Sequence, residues 1–235
     1  MTKIAIIGAM DCEIELLQGL FPNNKIDYKF QIKTGNINNN EIIIAKSGVG
    51  KTAAAACTQY IIDTFAPDYI INTGVAGGIG SDLKIKDIGI ADNLIHHDFD
   101  ITAWGYAKGY ISNGINPDRP TTFKTDVQIS KFIKSIAEKI HSENCVHVGT
   151  VVSGDQFIHR PADKIDLKQT FDALATDMEA TSIAHVATLN NVPVAVIRTI
   201  ADLADGTKTD DFGEFEHEAA KISAQIVKEI INSNF

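Results

Sequence analysis

No stretch of this chain is apolar for the roughly 20 residues that a membrane-spanning helix needs, so the membrane class is excluded. Runs of lysine or arginine are missing too. With 21 basic against 30 acidic residues and a formal charge of -9, the sequence lacks the electrostatic footprint that a polymeric nucleic acid requires. Cysteine is scarce: Cys12, Cys57 and Cys145 are odd in number, widely separated and outside any C-x-x-C spacing. That pattern argues against a disulfide framework and against a structural zinc site, and three reduced thiols fit the cytoplasm. The apolar run at 4–7 is too short for a secretory signal and reads as a buried strand, so no processing is expected. Hydrophobic residues make up 44% and charged residues 22%, which excludes the disordered class. The 235 residues suffice for a substantial core. Without a linker or repeat, one domain spanning 1–235 is expected.

What is present is a repeated alternation of two periodicities. Runs rich in isoleucine and valine recur at 4–8, 42–46, 69–73, 88–95, 147–152 and 193–200. Several are continuous rather than alternating, as strands covered on both faces are. Between them, spacings of three and four predict helices over 11–20, 51–65, 127–141, 179–190 and 211–232. The last carries Phe212, Phe215, Ala219, Ile222, Ile226 and Ile230 on one stripe and reads as an amphipathic cover helix. The expected fold is α/β, a central sheet with helices on both sides. The segment 107–122, with Gly109, Gly114, Pro117 and Pro120, reads as a long surface loop of the kind that closes over a ligand.

Ser47-Gly48-Val49-Gly50-Lys51-Thr52 looks at first like a phosphate-binding P-loop. The first glycine of that motif would stand at position 45, which is Ala45, so the stretch reads instead as a glycine-rich start to a helix. A second glycine cluster, Asn72-Thr73-Gly74-Val75-Ala76-Gly77-Gly78, follows the run 69–73, where ligands bind at the carboxyl ends of strands. An ordinary tight turn would look the same. Glu13 lies just after the run 4–8, Glu179 follows the apolar stretch ending in Met178, and Asp202 closes the buried run 192–201, so each could sit at the ligand-bearing edge of the sheet. Each alone could be a turn or helix cap; together with Arg198 they describe an acid–base site. The histidines, including His96-His97, lack metal-ligand spacing and read as structural or surface groups. No metal and no cofactor are expected.

Seven ordered blocks carry a family resemblance through nearly the whole chain. They are Ile6-Ile7-Gly8-Ala9-Met10 with Glu13, Lys46 to Lys51, Asn72 to Gly78, His97-Asp98 through Thr102-Ala103-Trp104-Gly105-Tyr106, Ser153-Gly154-Asp155-Gln156-Phe157, Asp177-Met178-Glu179-Ala180-Thr181, and Arg198 with Asp202. The sequence resembles the 5′-methylthioadenosine/S-adenosylhomocysteine nucleosidases of the purine nucleoside phosphorylase-like superfamily. The resemblance implies a three-layer αβα sandwich around a mixed, twisted sheet, and hydrolysis of the bond between adenine and a 5′-substituted ribose in methionine salvage. It implies that Glu13 activates a water, Asp202 protonates the purine at nitrogen 7, and Glu179, as an ionised acceptor, holds the ribose hydroxyls. Arg198 is expected to help hold that water or its carboxylate. Phe157 would stack on the adenine beside the Ile158 backbone, with Phe212 across the pocket and Met10 and Met178 along the sugar and thioether. Val75, Ala76, Gly77, Asp177 and Ala204 complete the implied binding set. Trp104, the single tryptophan, would reach the neighbouring subunit's pocket in a cytoplasmic homodimer.

Three departures from the family pattern stand out. Ala201 occupies the place where a serine often precedes the acid, Cys12 sits among residues that are often all acidic, and the loop 107–122 is a few residues longer. Three other readings remain open on the residues: a phosphorylase using phosphate in place of water, a nucleosidase for futalosine-type substrates, and a non-catalytic nucleoside-binding module. Glu13 favours hydrolysis over phosphorolysis, because phosphate arrives already anionic and needs no base.

Overall fold

The computed structural model describes residues 2–24, 26–27, 29–111, 116–206 and 209–233, and the side chains of all of these except 26–27 and 209–214. In chain order the elements are β1 (Thr2–Gly8), α1 (Asp11–Gln18), β2 (Ile26–Asp27), β3 (Ile32–Ile37), β4 (Asn40–Lys46), α2 (Lys51–Phe65), β5 (Tyr69–Gly78) and β6 (Ile88–His96). They continue with β7 (Phe123–Lys124), α3 (Val127–His141), β8 (Val146–Ser153), α4 (Pro161–Phe171), β9 (Ala173–Asp177), α5 (Ala180–Leu189), β10 (Val194–Asp202) and α6 (Thr209–Asn232). All six expected strands and five expected helices are present. No helix among the described residues is long and apolar enough to cross a membrane.

The two-sided burial read from the isoleucine runs divides along single strands. On β1, Ile4 and Ile6 face a core shared with Ile14 and Leu17 of α1, Ile129 and Ile133 of α3, and Ile226 and Ile230 of α6. Their neighbours Ala5 and Ile7 face the opposite core, with Cys57 and Ile61 of α2 and Ile183 and Ala187 of α5. A period of two thus sends one strand's side chains into both helical layers, giving a three-layer α/β arrangement. Local signals agree: the Asp126 carboxylate caps α3 by accepting from Gln128 N and Ile129 N, and Pro161 opens α4, where its missing N–H costs nothing.

The sheet is mixed, and it also closes partly on itself. β5 runs parallel to β1 and β10, β10 is antiparallel to β6, β6 and β8 are parallel, as are β8 and β9, and β9 returns antiparallel to the end of β5 through Gly77↔Thr176 and Gly78↔Ala175. The pairings form a ring of five strands, from which β1, β4, β3 and β2 extend as an open wing. β5 serves both parts, and its second half lies at the ring's edge.

Two readings left open by the sequence are decided here. The glycine cluster at 74–78 is not a turn: β5 continues through Gly78 and is buried throughout. Pairing with β10 and β9 keeps it extended, where periodicity alone ended the strand at 73. The histidine pair is structural rather than superficial, with His96 and His97 buried and His96 pushed down to about 4, first by burial. In 107–122, Tyr110 is buried and stacks on Tyr106 at 5.0 Å between ring centres.

Candidate active site

Glu13, on the first turn of α1, turns inward beneath β5. Its Oε2 accepts N–H bonds from Ala9 at 2.6 Å and Met10 at 3.0 Å, and its Oε1 accepts from Val75 N at 2.9 Å. The capping role and the site role belong to the same carboxylate. Close approach needs Gly74, where a Cβ would stand 2.4 Å from Glu13 Oε1. Glu179, immediately before α5, accepts from Gly50 N at 2.8 Å. Asp202 ends β10 opposite Gly77, where a Cβ would lie 3.2 Å from Asp202 Oδ1, and that oxygen accepts from Ala204 N at 2.8 Å. The Ala204 amide supplies support that Ala201 cannot. Gly74 and Gly77 are three residues apart, so the two acids pack over points on the order of 10 Å apart along the strand.

All three carboxylates line one cavity of about 220 Å³, most of whose remaining wall is apolar. Burial is the largest influence on each and favours the neutral acid. It raises Glu13 against the opposing pull of Arg198 and the three backbone N–H groups. It raises Glu179 to about 8, helped by the Asp177 charge and resisted by Gly50 N–H and Arg198. It raises Asp202, with Asp205 adding to the effect and Ala204 N–H and Lys164 opposing it. Three carboxyl groups share one largely apolar cavity, and burial makes ionising all of them together costly.

The phosphorylase superfamily profile matches residues 3–232. A 5′-methylthioadenosine/S-adenosylhomocysteine nucleosidase of Actinobacillus succinogenes is 39% identical over 229 residues, covering 96% of each chain. The chain belongs to this nucleosidase family. The crystal structure of the Neisseria meningitidis nucleosidase of that name, in complex with methylthio-immucillin-A, superposes with a TM-score of 0.90 at 37% identity over 100% of both chains. A futalosine hydrolase of Helicobacter pylori superposes with a TM-score of 0.89 at 32% identity, over 98% of this chain and 97% of its own.

In this nucleosidase-family fold, Met10, Val75, Ala76 and Gly77 join Phe157, Ile158, Asp177 and Met178 on the cavity wall. Phe157 is 45% exposed at the rim, its ring stacked near-parallel to that of His159 at 6.3 Å between ring centres. Arg198 is not on the wall. It is buried, donating from Nε to Asp177 Oδ2 at 2.8 Å and from Nη2 to Asn72 Oδ1 at 2.5 Å. Among the described contacts it makes no hydrogen bond to Glu13 and acts on it through charge. Asp177 also accepts from Ser153 Oγ and Ala180 N, so its oxygens are engaged away from the cavity. Ala204 touches Asp202 rather than the cavity wall. Trp104 stands 77% exposed and apart from this chain's cavity, as do the described residues of 107–122. The side chain of Phe212 lies outside those described.

Sequence reasoning missed Ala9, Val49, Gln156 and Thr176, which complete the wall. Ala9, Val49 and Gln156 lie inside the blocks that carried the resemblance, and position within a block was their only signal. Thr176 sits on β9, whose five residues show no strong period.

Proposed function

We propose that this chain hydrolyses the N-glycosidic bond of 5′-methylthioadenosine and S-adenosylhomocysteine, and also of 5′-deoxyadenosine, releasing adenine and the 5′-substituted ribose. The observation that carries the reading is the convergence of Glu13, Glu179 and Asp202 on one largely apolar cavity. In the proposed reaction Asp202 gives its proton to nitrogen 7 as the bond from nitrogen 9 to the anomeric carbon breaks, so adenine leaves as a neutral base. Glu13 takes a proton from water, whose oxygen bonds to the anomeric carbon. Glu179 accepts the ribose hydroxyls and, once ionised, favours the oxocarbenium-like transition state, as paired carboxylates do in glycoside hydrolysis. The raised pKa of Asp202 is the property a general acid needs at neutral pH. The part of the Phe157 ring exposed at the rim is the proposed stacking surface for adenine, beside the Ile158 backbone.

Water rather than phosphate is supported by the wall itself: no lysine or arginine is among the described residues that line the cavity. A phosphorylase needs cationic or clustered amide donors for its anion. The reading takes 1–235 as one catalytic unit and a homodimer as the working form. Trp104, Phe99 and Tyr106, exposed by 77%, 37% and 38%, supply apolar surface for a second subunit. Free Cys12, Cys57 and Cys145 support placement in the cytoplasm, and the reaction fits the removal of S-adenosylmethionine by-products and methionine salvage.

The deciding experiment incubates the protein with methylthioadenosine, S-adenosylhomocysteine, 5′-deoxyadenosine, adenosine and inosine, each with and without phosphate, and follows free base. Adenine release without phosphate is expected. Strict phosphate dependence would replace the reading with phosphorolysis, and no release from any nucleoside would replace it with a binding module. The likeness to a futalosine hydrolase favours a second reading, so futalosine belongs in the same panel; preference for it over methylthioadenosine would reassign the 5′-substituent pocket.

A further inference from the structure

The stretch 47–52, rejected above as a phosphate loop, leads into a helix whose first amides are already occupied by carboxylates. Gly50 N donates to Glu179 Oε1 and Lys51 N to Asp155 Oδ1, each at 2.8 Å. Lys51 Nζ reaches Asp98 Oδ1 at 2.5 Å, and the other Asp98 oxygen accepts from Asp155 N at 2.9 Å. These contacts close a ring of three residues from the start of α2, the segment after β6 and the loop after β8. Ser182 Oγ of α5 adds a bond to Lys51 O at 2.9 Å. Two glycines permit the approach. Gly50 adopts a φ of +96°, and a Cβ there would lie 3.0 Å from Asp155 Oδ1. At Gly154 a Cβ would lie 2.4 Å from His97 Nε2 and 3.0 Å from Asp98 Cγ.

The ion pair is sheltered, its side chains 22% and 13% exposed, so solvent screens it less than a surface pair. Each segment it ties is next to a piece of the cavity. Val49 precedes Gly50, Gln156 to Ile158 follow Asp155, and Glu179 is held by Gly50. Neither Lys51 nor Asp98 lines the cavity.

We infer that Lys51 and Asp98 are positioning residues, a latch that holds the Glu179 carboxyl group and the loop carrying Phe157 at a fixed separation across the cavity. The roles of Glu179 and Phe157 in it rest on the nucleosidase reading. The latch explains why a lysine stands at the helix start without a phosphate to bind: it binds Asp98 instead.

The test compares wild type with Lys51→Met, Lys51→Arg, Asp98→Asn and the double variant Lys51→Met/Asp98→Asn, with the exposed Lys168→Met as control. Amide hydrogen exchange is expected to quicken at 154–158 in Lys51→Met and Asp98→Asn, and to stay at the wild-type rate in the control. In folded protein, kcat/KM for methylthioadenosine should fall about 10–100-fold, the scale of a misplaced catalytic group. Lys51→Arg should recover most of it, and the double variant should lose little more than either single one, as a shared interaction requires. The acid limb of the pH profile should move up in Lys51→Met, because a loosened Gly50 N–H no longer favours ionised Glu179. Unchanged exchange at 154–158 would overturn the latch whatever the activity. Faster exchange with kcat/KM within about twofold of wild type would overturn its positioning role. If wild type cleaves no nucleoside while exchange still responds, the nucleosidase reading fails and the latch survives as a structural tie.

Discussion

In the proposed reaction Asp202 carries the heaviest chemical demand, because adenine leaves poorly as an anion. Asp202→Asn keeps the shape and the Ala204 contact surface but has no acidic proton to give. Its kcat on methylthioadenosine is expected to fall by about 10²–10⁴-fold, the usual worth of general acid catalysis. Binding of a nucleoside analogue should remain measurable by calorimetry; wild-type turnover in this variant would remove Asp202 from the acid role. Glu179 makes a different prediction, about stability. A carboxyl group whose folded-state pKa exceeds its unfolded value contributes fully below the unfolded value, and loses that contribution as pH rises through the folded one. For Glu179 the window runs from the ordinary 4.5 to about 8. Glu179→Gln, neutral throughout, should therefore melt higher than wild type at pH 8, by roughly a few degrees, with the gap closing toward pH 4.5. Thermal melts across that range check the sign, while the same variant should bind substrate less well.

At the scale of elements, β5 and α1 form one device. The strand presents Gly74 so that a helix carboxylate can lie against its backbone, and Val75 N–H then fixes that carboxylate. Gly74→Ala should push Glu13 off its three donors and lower kcat about 10²-fold, as misplacement of a catalytic group by about 1 Å does. A glycine elsewhere in the sheet gives the contrast. At Gly35 on β3 a Cβ would stand 2.2 Å from the Phe21 ring, and neither residue lines the cavity. Gly35→Ala should cost about 1–3 kcal/mol of stability by overpacking and leave kcat near wild type in the folded protein. Initial rates paired with denaturant melts separate the two cases; equal losses of activity per folded molecule would refute the distinction.

For the whole molecule, the feature that one chain leaves unused is the exposed Trp104. If it anchors a second subunit and reaches its pocket, Trp104→Ala should weaken the dimer about tenfold or more, as loss of an aromatic hot spot does. The KM for methylthioadenosine should rise in step. Sedimentation across a concentration series measures the first and initial rates the second; an unaltered dimer with an unaltered KM would leave Trp104 outside both roles.

Periodicity made most of the architecture legible. Runs rich in isoleucine and valine, several of them continuous, marked the six long strands, and spacings of three and four gave α2 and α3 their observed limits. The weaker elements escaped for physical reasons. In α4 only Leu167 and Phe171 are buried, so no apolar stripe forms. β9 has five residues, and its position depends on neighbours in β5 and β8 that no local pattern names.

At the site, residue types and their order marked Glu13, Glu179 and Asp202 as candidates, while the family resemblance supplied their separate duties. Chemistry of that kind is written in side-chain identity, and one chain carries it whole. The closure of the strand ring, the Gly50 hold on Glu179, the assignment of Arg198 to Asp177 and Asn72, and the shared upward pKa shifts belong to the tertiary structure alone. Each depends on distances between segments far apart in sequence and on water excluded from between them, and neither quantity exists until the chain has folded.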